Sequence, residues 1–238
     1  MVGGLAVGAG PHAQALVVGD RVHRDGAVGA VLEGVAVRTV VSQGCAPVGR
    51  EAVVTDADEN VILRLAGEPA LDRLRHEFEA FTERERELAQ RGVLVGLVID
   101  ENKPDYGRGD FLMRGILGAD EESGGLAVGE QVRVGQTVRF HVRDGTTAAE
   151  DLSLALDETL AVAPGAPAGA LVFTCNGRGT HMFAEPDHDA RVVSGTLATP
   201  GVAGFFCGGE IGPVGGRAFL HGFTATMAVF FDRDAPAG

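Results

Sequence analysis

PALDRLRHEFEAFTERERELAQRGVLVGLVID, residues 69–100, is the stretch on which the fold class turns. Leu71, Leu74, Phe78, Phe81 and Leu88 recur at helical spacing, so the pattern predicts one helix over 69–91. Pro69 suits its first turn and Gly92 its stop. The charged residues in between read as a solvated face with i,i+4 pairs such as Arg73–Glu77 and Glu87–Arg91. VLVGLVID follows at once, a continuous apolar run of the kind a buried strand needs. A helix feeding a buried strand calls for a sheet with helices packed on it.

Working outward, QTVRFHVRD (136–144) alternates: Val138, Phe140 and Val142 face one way, Arg139, His141 and Arg143 the other. Residues 15–18, 35–41, 111–118 and 222–231 read as further strands, and 204–216 as a strand running into a glycine-rich loop. SQGCAPVG (42–49) and DENKPDYGRGD (100–110) read as loops. TAAE (147–150) is a capping box that opens a second helix through about residue 160. The expected fold class is α+β: mixed, largely antiparallel sheets covered by these two helices. One arrangement that fits is a stacked helix–sheet–sheet–helix sandwich of two related halves. A faint echo supports it: ALVV (15–18) leads toward VRTVVSQGCAPVG (37–49), and ALVF (170–173) toward AGFFCGGEIGPVG (203–215).

Composition narrows the function. The 238 residues carry a formal charge of −13, which phosphate backbones repel, so no nucleic acid is expected as a partner. All the basic residues but Lys103 are arginine, and none cluster into a polybasic membrane patch. No apolar run approaches the roughly 20 residues that span a bilayer, and the N-terminus lacks the basic start of a secretory signal. No membrane insertion is expected. Cys45, Cys175 and Cys207 are odd in number and far apart, which suits a reducing cytoplasm. The high Arg and Ala content with a single Lys points to a bacterial source. The 36 glycines, against a usual share of roughly 7%, imply tight turns and close backbone approaches.

TCNGRGTHMF (174–183) holds a thiol, an amide, an arginine between glycines and a histidine. Cys175 as a nucleophile would need a base, with His181, His188 or His221 as candidates and Asn176 or Glu210 as orienter. A Cys at the end of a buried strand is more often a core residue. Cys175, His181, Glu185, His188 and Asp189 are metal-ligand types without paired ligand spacing, so no metal and no cofactor are expected. In NGRG, Gly177 and Gly179 allow backbone N–H groups to point outward, and Arg178 adds a fork that fits a carboxylate. GGEIG (208–212) sets Glu210 beside Gly209, where it pairs with an arginine or captures an ammonium. His221, between Leu220 and Gly222, is bonded to backbone or completes a site.

Four stretches carry a family resemblance: DFLMRGILGAD (110–120), VRVGQTVRFHVRD (132–144), ALVFTCNGRG (170–179) and GFFCGGEIGPVGGRAFLHGFTA (204–225). Together they resemble the FIST family, named for F-box and intracellular signal transduction proteins. GGLAVG, VVSQGCAPVG and VTDADENVI in residues 1–66 resemble only the later part of the FIST N domain. The resemblance implies a FIST N-like part over 1–66 that begins inside the family's longer N domain, and a FIST C-like domain over 67–238. It also implies a sensory module for small ligands such as amino acids, not an enzyme, with a signalling protein as a further partner. It supplies no catalytic residues. In the site expected here, NGRG and GGEIG lie close together, Arg178 takes a ligand carboxylate and Glu210 its ammonium. Asn176 bonds either end, and His221 or Arg143 completes the rim. The rival readings are a Cys175-dependent hydrolase or transferase, and a protein-interaction scaffold that uses the helix at 69–91.

Overall fold

The computed structural model describes residues 1–8, 10 and 13–232. The chain opens with β1 (Gly3–Gly4), β2 (Leu16–Val18), β3 (Arg21–His23) and β4 (Ala36–Gln43). Next come β5 (Cys45–Asp58), β6 (Val61–Leu65), β7 (Glu68–Pro69), α1 (Ala70–Ala80), α2 (Glu83–Ala89), β8 (Val93–Val98), β9 (Phe111–Asp120), β10 (Gly125–Val128) and β11 (Thr137–Arg143). After α3 (Gly145–Ala161) follow β12 (Ala166–Cys175), α4 (His188–Leu197), β13 (Val202–Cys207), β14 (Glu210–Val214), β15 (Arg217–His221) and β16 (Thr224–Asp232). The fold class is α+β, with mainly antiparallel pairing. The chain forms two units: Met1–Ser42 with Leu152–Gly238, and Gln43–Asp151.

The unit Gln43–Asp151 is built on a ring of strands in the order β10-β9-β8-β11-β5-β6, and β10 pairs back onto β6 to close it. Every pairing in the ring is antiparallel. Closure removes free edges, and a ring of six strands is narrow enough to fill with side chains. Val54, Ile62, Val95, Leu126, Val128 and Val142 are fully buried in it. β8 is buried along nearly its whole length, as the unbroken VLVGLV run predicts.

Four local readings change here. The predicted helix over 69–91 is two helices, because Phe81 turns extended and Thr82 starts α2 with a capping box to Glu85. Residues 42–49 are not a loop but the end of β4, a break at Gly44 and the start of β5. In β11, His141 does not face solvent with Arg139. It is 2% exposed, its ring beside Gly96 and edge-on to Phe111. α3 also starts earlier than the TAAE box suggests, since the Asp144 carboxylate accepts from the Thr146 and Thr147 N–H groups and the Thr147 hydroxyl.

The other unit has a four-stranded sheet, β13-β12-β16-β4. β12 and β13 run parallel, joined through α4, while β16 is antiparallel to β12. Leu152 and Leu156 of α3, with Val193 and Leu197 of α4, pack with Val172, Met227 and Val229 in one buried core. β16 alternates: Ala225, Met227 and Val229 join that core, whereas Thr224 bonds Glu210 of β14 and Thr226 abuts Gly212. A small antiparallel sheet, β1-β14-β15, therefore lies on the face away from the helices. The glycine-rich loop expected here is a tight hairpin instead. Val214 pairs with Arg217, and Gly215 and Gly216 both take positive φ, as a two-residue type I′ turn demands. The two echoing segments take different places: Leu16–Val18 pairs with β3, while residues 170–173 lie inside the sheet between β13 and β16.

Candidate functional site

β12 and β13 end in register, with Cys175 directly across from Cys207, so NGRG and GGEIG leave from the same end of two neighbouring parallel strands. The ends of adjacent parallel strands are the usual place for sites in sheets of this kind. NGR forms a 3₁₀ turn over Asn176–Arg178, and this turn swings the Arg178 side chain into the protein. Asn176 stays exposed, and Gly177 and Gly179 are half-buried.

Arg178 is 1% exposed, which is affordable only with a partner. The partner is Asp189, in the first turn of α4. Arg178 Nε donates to Asp189 Oδ2 at 2.7 Å and Nη2 to Oδ1 at 3.0 Å. The Thr174 hydroxyl donates to the same carboxylate at 2.7 Å, and His188 Nδ1 stands 3.0 Å from Oδ1. Burial raises the Asp189 pKa, but the bonds and charge of Arg178, with Thr174 and His188, outweigh it and hold the carboxyl below its ordinary value. Phe183 stacks on the His188 ring, with centroids 3.7 Å apart at 8°, and lies 5.5 Å from the Arg178 guanidinium carbon. One group is left over: Arg178 Nη1 is buried and makes no hydrogen bond.

A cavity of about 180 Å³ opens beside this network, between the start of α4 and the strands β12 and β13. Arg178, Asp189 and His188 form its polar wall, Val172, Val202 and Phe206 its apolar wall, and Glu185 and Asp187 its acidic rim. Phe205 and Phe206 lie on β13, an edge strand, and both remain exposed. Sequence reasoning placed neither phenylalanine in a binding site and named Asp189 only as a metal-ligand type without paired spacing. The one signal for Asp189 was an acid just after Pro186, where a helix would start.

Glu210 is fully buried but is not among the cavity residues. Its Oε2 accepts from the Thr224 N–H at 3.2 Å and hydroxyl at 2.9 Å, and Oε1 has no hydrogen bond. Burial lifts its pKa to about 7, against the pull of Thr224 and Arg178. Gly209 hands its carbonyl to the Leu5 N–H, which extends the pairing of β1. His221 is buried, with Nε2 at 3.0 Å from the Gly212 carbonyl. Arg143 belongs to the other unit, on β11, where its guanidinium donates to the Arg91 carbonyl. Cys175 is buried, and burial with the nearby Glu210 carboxylate raises its thiol pKa, the opposite of what activates a nucleophile. Among the described residues, no group of three His, Cys, Asp or Glu side chains is arranged to hold a metal ion. No helix among the described residues is long and apolar enough to cross a membrane.

Comparison with known sequences places this architecture. The FIST N domain profile matches residues 1–68, and the FIST C domain profile matches residues 70–213. The chain belongs to the FIST family. FIST domains are, as a family, small-ligand sensory domains of signal transduction. The chain is 48% identical over 233 residues to the uncharacterized protein Rv0628c of Mycobacterium tuberculosis, covering 98% of this chain and 61% of that protein. It is also 48% identical over 207 residues to the uncharacterized protein Mb0898c of Mycobacterium bovis, covering 87% of this chain and 54% of that one. The chain thus spans 54–61% of the length of these relatives.

Proposed function

We propose that this FIST protein senses a small amino-acid-like metabolite, held in the cavity between α4 and β13, and passes the signal to a protein partner. The observation that carries the reading is Arg178: buried, fixed by Asp189, and left with Nη1 unbonded in the wall of a cavity. A buried donor without a partner costs about 1–3 kcal/mol, which a ligand acceptor would recover. A carboxylate suits it, with the N-terminal N–H groups of α4 adding their favourable dipole. The ammonium then meets Glu185 and Asp187, and the side chain rests on Phe206, which lies across from Thr174 on the face of Asp189. About 180 Å³ is well below the roughly 300–1,000 Å³ of sites for drug-sized ligands, which favours a small metabolite.

A thermal-shift and calorimetric screen against the amino acids and small carboxylates tests this. Ligand at 100-fold its Kd stabilises the fold by about 2.7 kcal/mol. Phe206→Ala and Glu185→Gln, both at exposed positions, should each weaken binding about tenfold while leaving the unliganded melting temperature unchanged. Binding unchanged in both variants removes the ligand from this cavity.

A further inference from the structure

The polar layer between the main sheet and the small sheet β1-β14-β15 holds chemistry that ligand sensing does not use. Cys175 and Cys207 face each other across the parallel pair β12 and β13. Residues directly across in a ladder share a face, and strand spacing sets their Cα atoms roughly 4.8 Å apart. That lies inside the roughly 4.4–6.8 Å window that a disulfide accepts. Both thiols are free.

The surroundings fit such a bond. Gly4 of β1 lies over Cys207, and a Cβ there would stand 2.4 Å from its Sγ, so only glycine leaves room beside the sulfur. The Gly177 N–H donates to Cys175 Sγ at 3.4 Å, and the Phe223 N–H also bonds it. The Glu210 carboxylate adjoins both thiols and has Oε1 without a hydrogen bond. It is thus placed to accept a thiol proton. Cys175 is 9% exposed and Cys207 0%, so an oxidant reaches Cys175 first.

We propose that Cys175 and Cys207 are a redox-modification site, which a peroxide converts to an intrachain disulfide. This inference does not depend on the ligand reading. Cys175 gives its proton to Glu210 and attacks one peroxide oxygen. The O–O bond breaks, Cys175 becomes a sulfenic acid, and the departing hydroxide takes the proton back from Glu210 to leave as water. The Cys207 sulfur then displaces the sulfenic hydroxyl, and its own proton leaves in the second water. Two thiols and one hydrogen peroxide give one disulfide and two waters. Burial holds both thiols above their ordinary pKa, Cys207 at about 12, so the reaction belongs to a slow sensor and not to a rapid peroxidase.

The test is to treat the purified chain with hydrogen peroxide, then quench, denature, alkylate, and map it by mass spectrometry without reduction. Alkylatable thiols should fall from three to one, the intact mass should drop by two hydrogens, and one linked peptide should join Cys175 to Cys207. Dithiothreitol should restore all three. Three thiols still alkylatable, oxygen adducts on a single cysteine, or a link through Cys45 or to a second chain would each overturn the proposal. Glu210→Gln should slow formation of the same product severalfold, and an unchanged rate overturns the proton transfer to Glu210.

Discussion

Glu210→Gln also tests how the buried carboxyl is linked to stability. In the folded chain its pKa is about 7, against an ordinary 4.5, because burial disfavours the charge. Between those values the unfolded chain has already lost the proton and the folded chain keeps it, so the contribution of Glu210 to stability falls as pH rises from about 4.5 to about 7 and is level above. At 1.36 kcal/mol per unit, the shift amounts to roughly 3 kcal/mol. Glutamine keeps an oxygen for the two Thr224 donors and cannot ionise, although its amide leaves a fixed cost at every pH. The stability of the variant minus that of the wild type should therefore climb by roughly 3 kcal/mol between about pH 4.5 and about pH 8. His141 titrates in the opposite sense. Burial depresses its pKa from 6.5 to about 4, so stability is lost as pH falls through that window. Both proteins share this effect, and the difference cancels it. Urea unfolding at about pH 5, 6, 7 and 8 measures the difference. A difference that stays constant across that range refutes the reasoning, because it would mean that Glu210 titrates alike in both states.

Asp189→Asn removes the charge that Arg178 is buried against, and should cost about 3–5 kcal/mol in chemical denaturation, with ligand binding lost in parallel. Gly204→Ala places a Cβ 1.8 Å from the Val172 carbonyl oxygen and must push β13 from β12, which should cost on the order of 1–3 kcal/mol by the same assay.

The elements legible in the sequence were those with an unambiguous period. VLVGLV gave a buried strand, and Val138, Phe140 and Val142 gave the inner face of β11. The barrel itself could not be read. Its closure depends on Leu126 and Ala127 meeting Ile62 and Val61, a long-range pairing that no local pattern encodes. The break at Thr82 was written in the chain as Thr-x-x-Glu, but the apolar spacing on both sides ran through it and masked the signal. His141 was misplaced because alternation assumes that a polar residue faces water. Gly96, which has no side chain, leaves a slot on β8 that the imidazole fills. Glu210 lies outside the cavity wall, and within that wall Arg178 and Gly179 were readable as residue types. The partner of Arg178 was not, because Asp189 reaches it only after a helix start that turns at Asp187 in the left-handed region.

The interleaving of the two units bears on how the chain is made. Gln43–Asp151 is one continuous piece, and every strand of its ring has left the ribosome once β11 emerges. The other unit is split, and β4, synthesised before the ring, stands at the edge of its sheet and pairs with β16, the last strand among the described residues. Contacts so distant in sequence form slowly. Through most of translation, the apolar β-branched segment VAVRTVV therefore waits as a bare template for a partner strand not yet made. The nascent chain is at its most vulnerable in that interval, and a chaperone holding residues 35–41 would protect it until Thr224–Asp232 arrives.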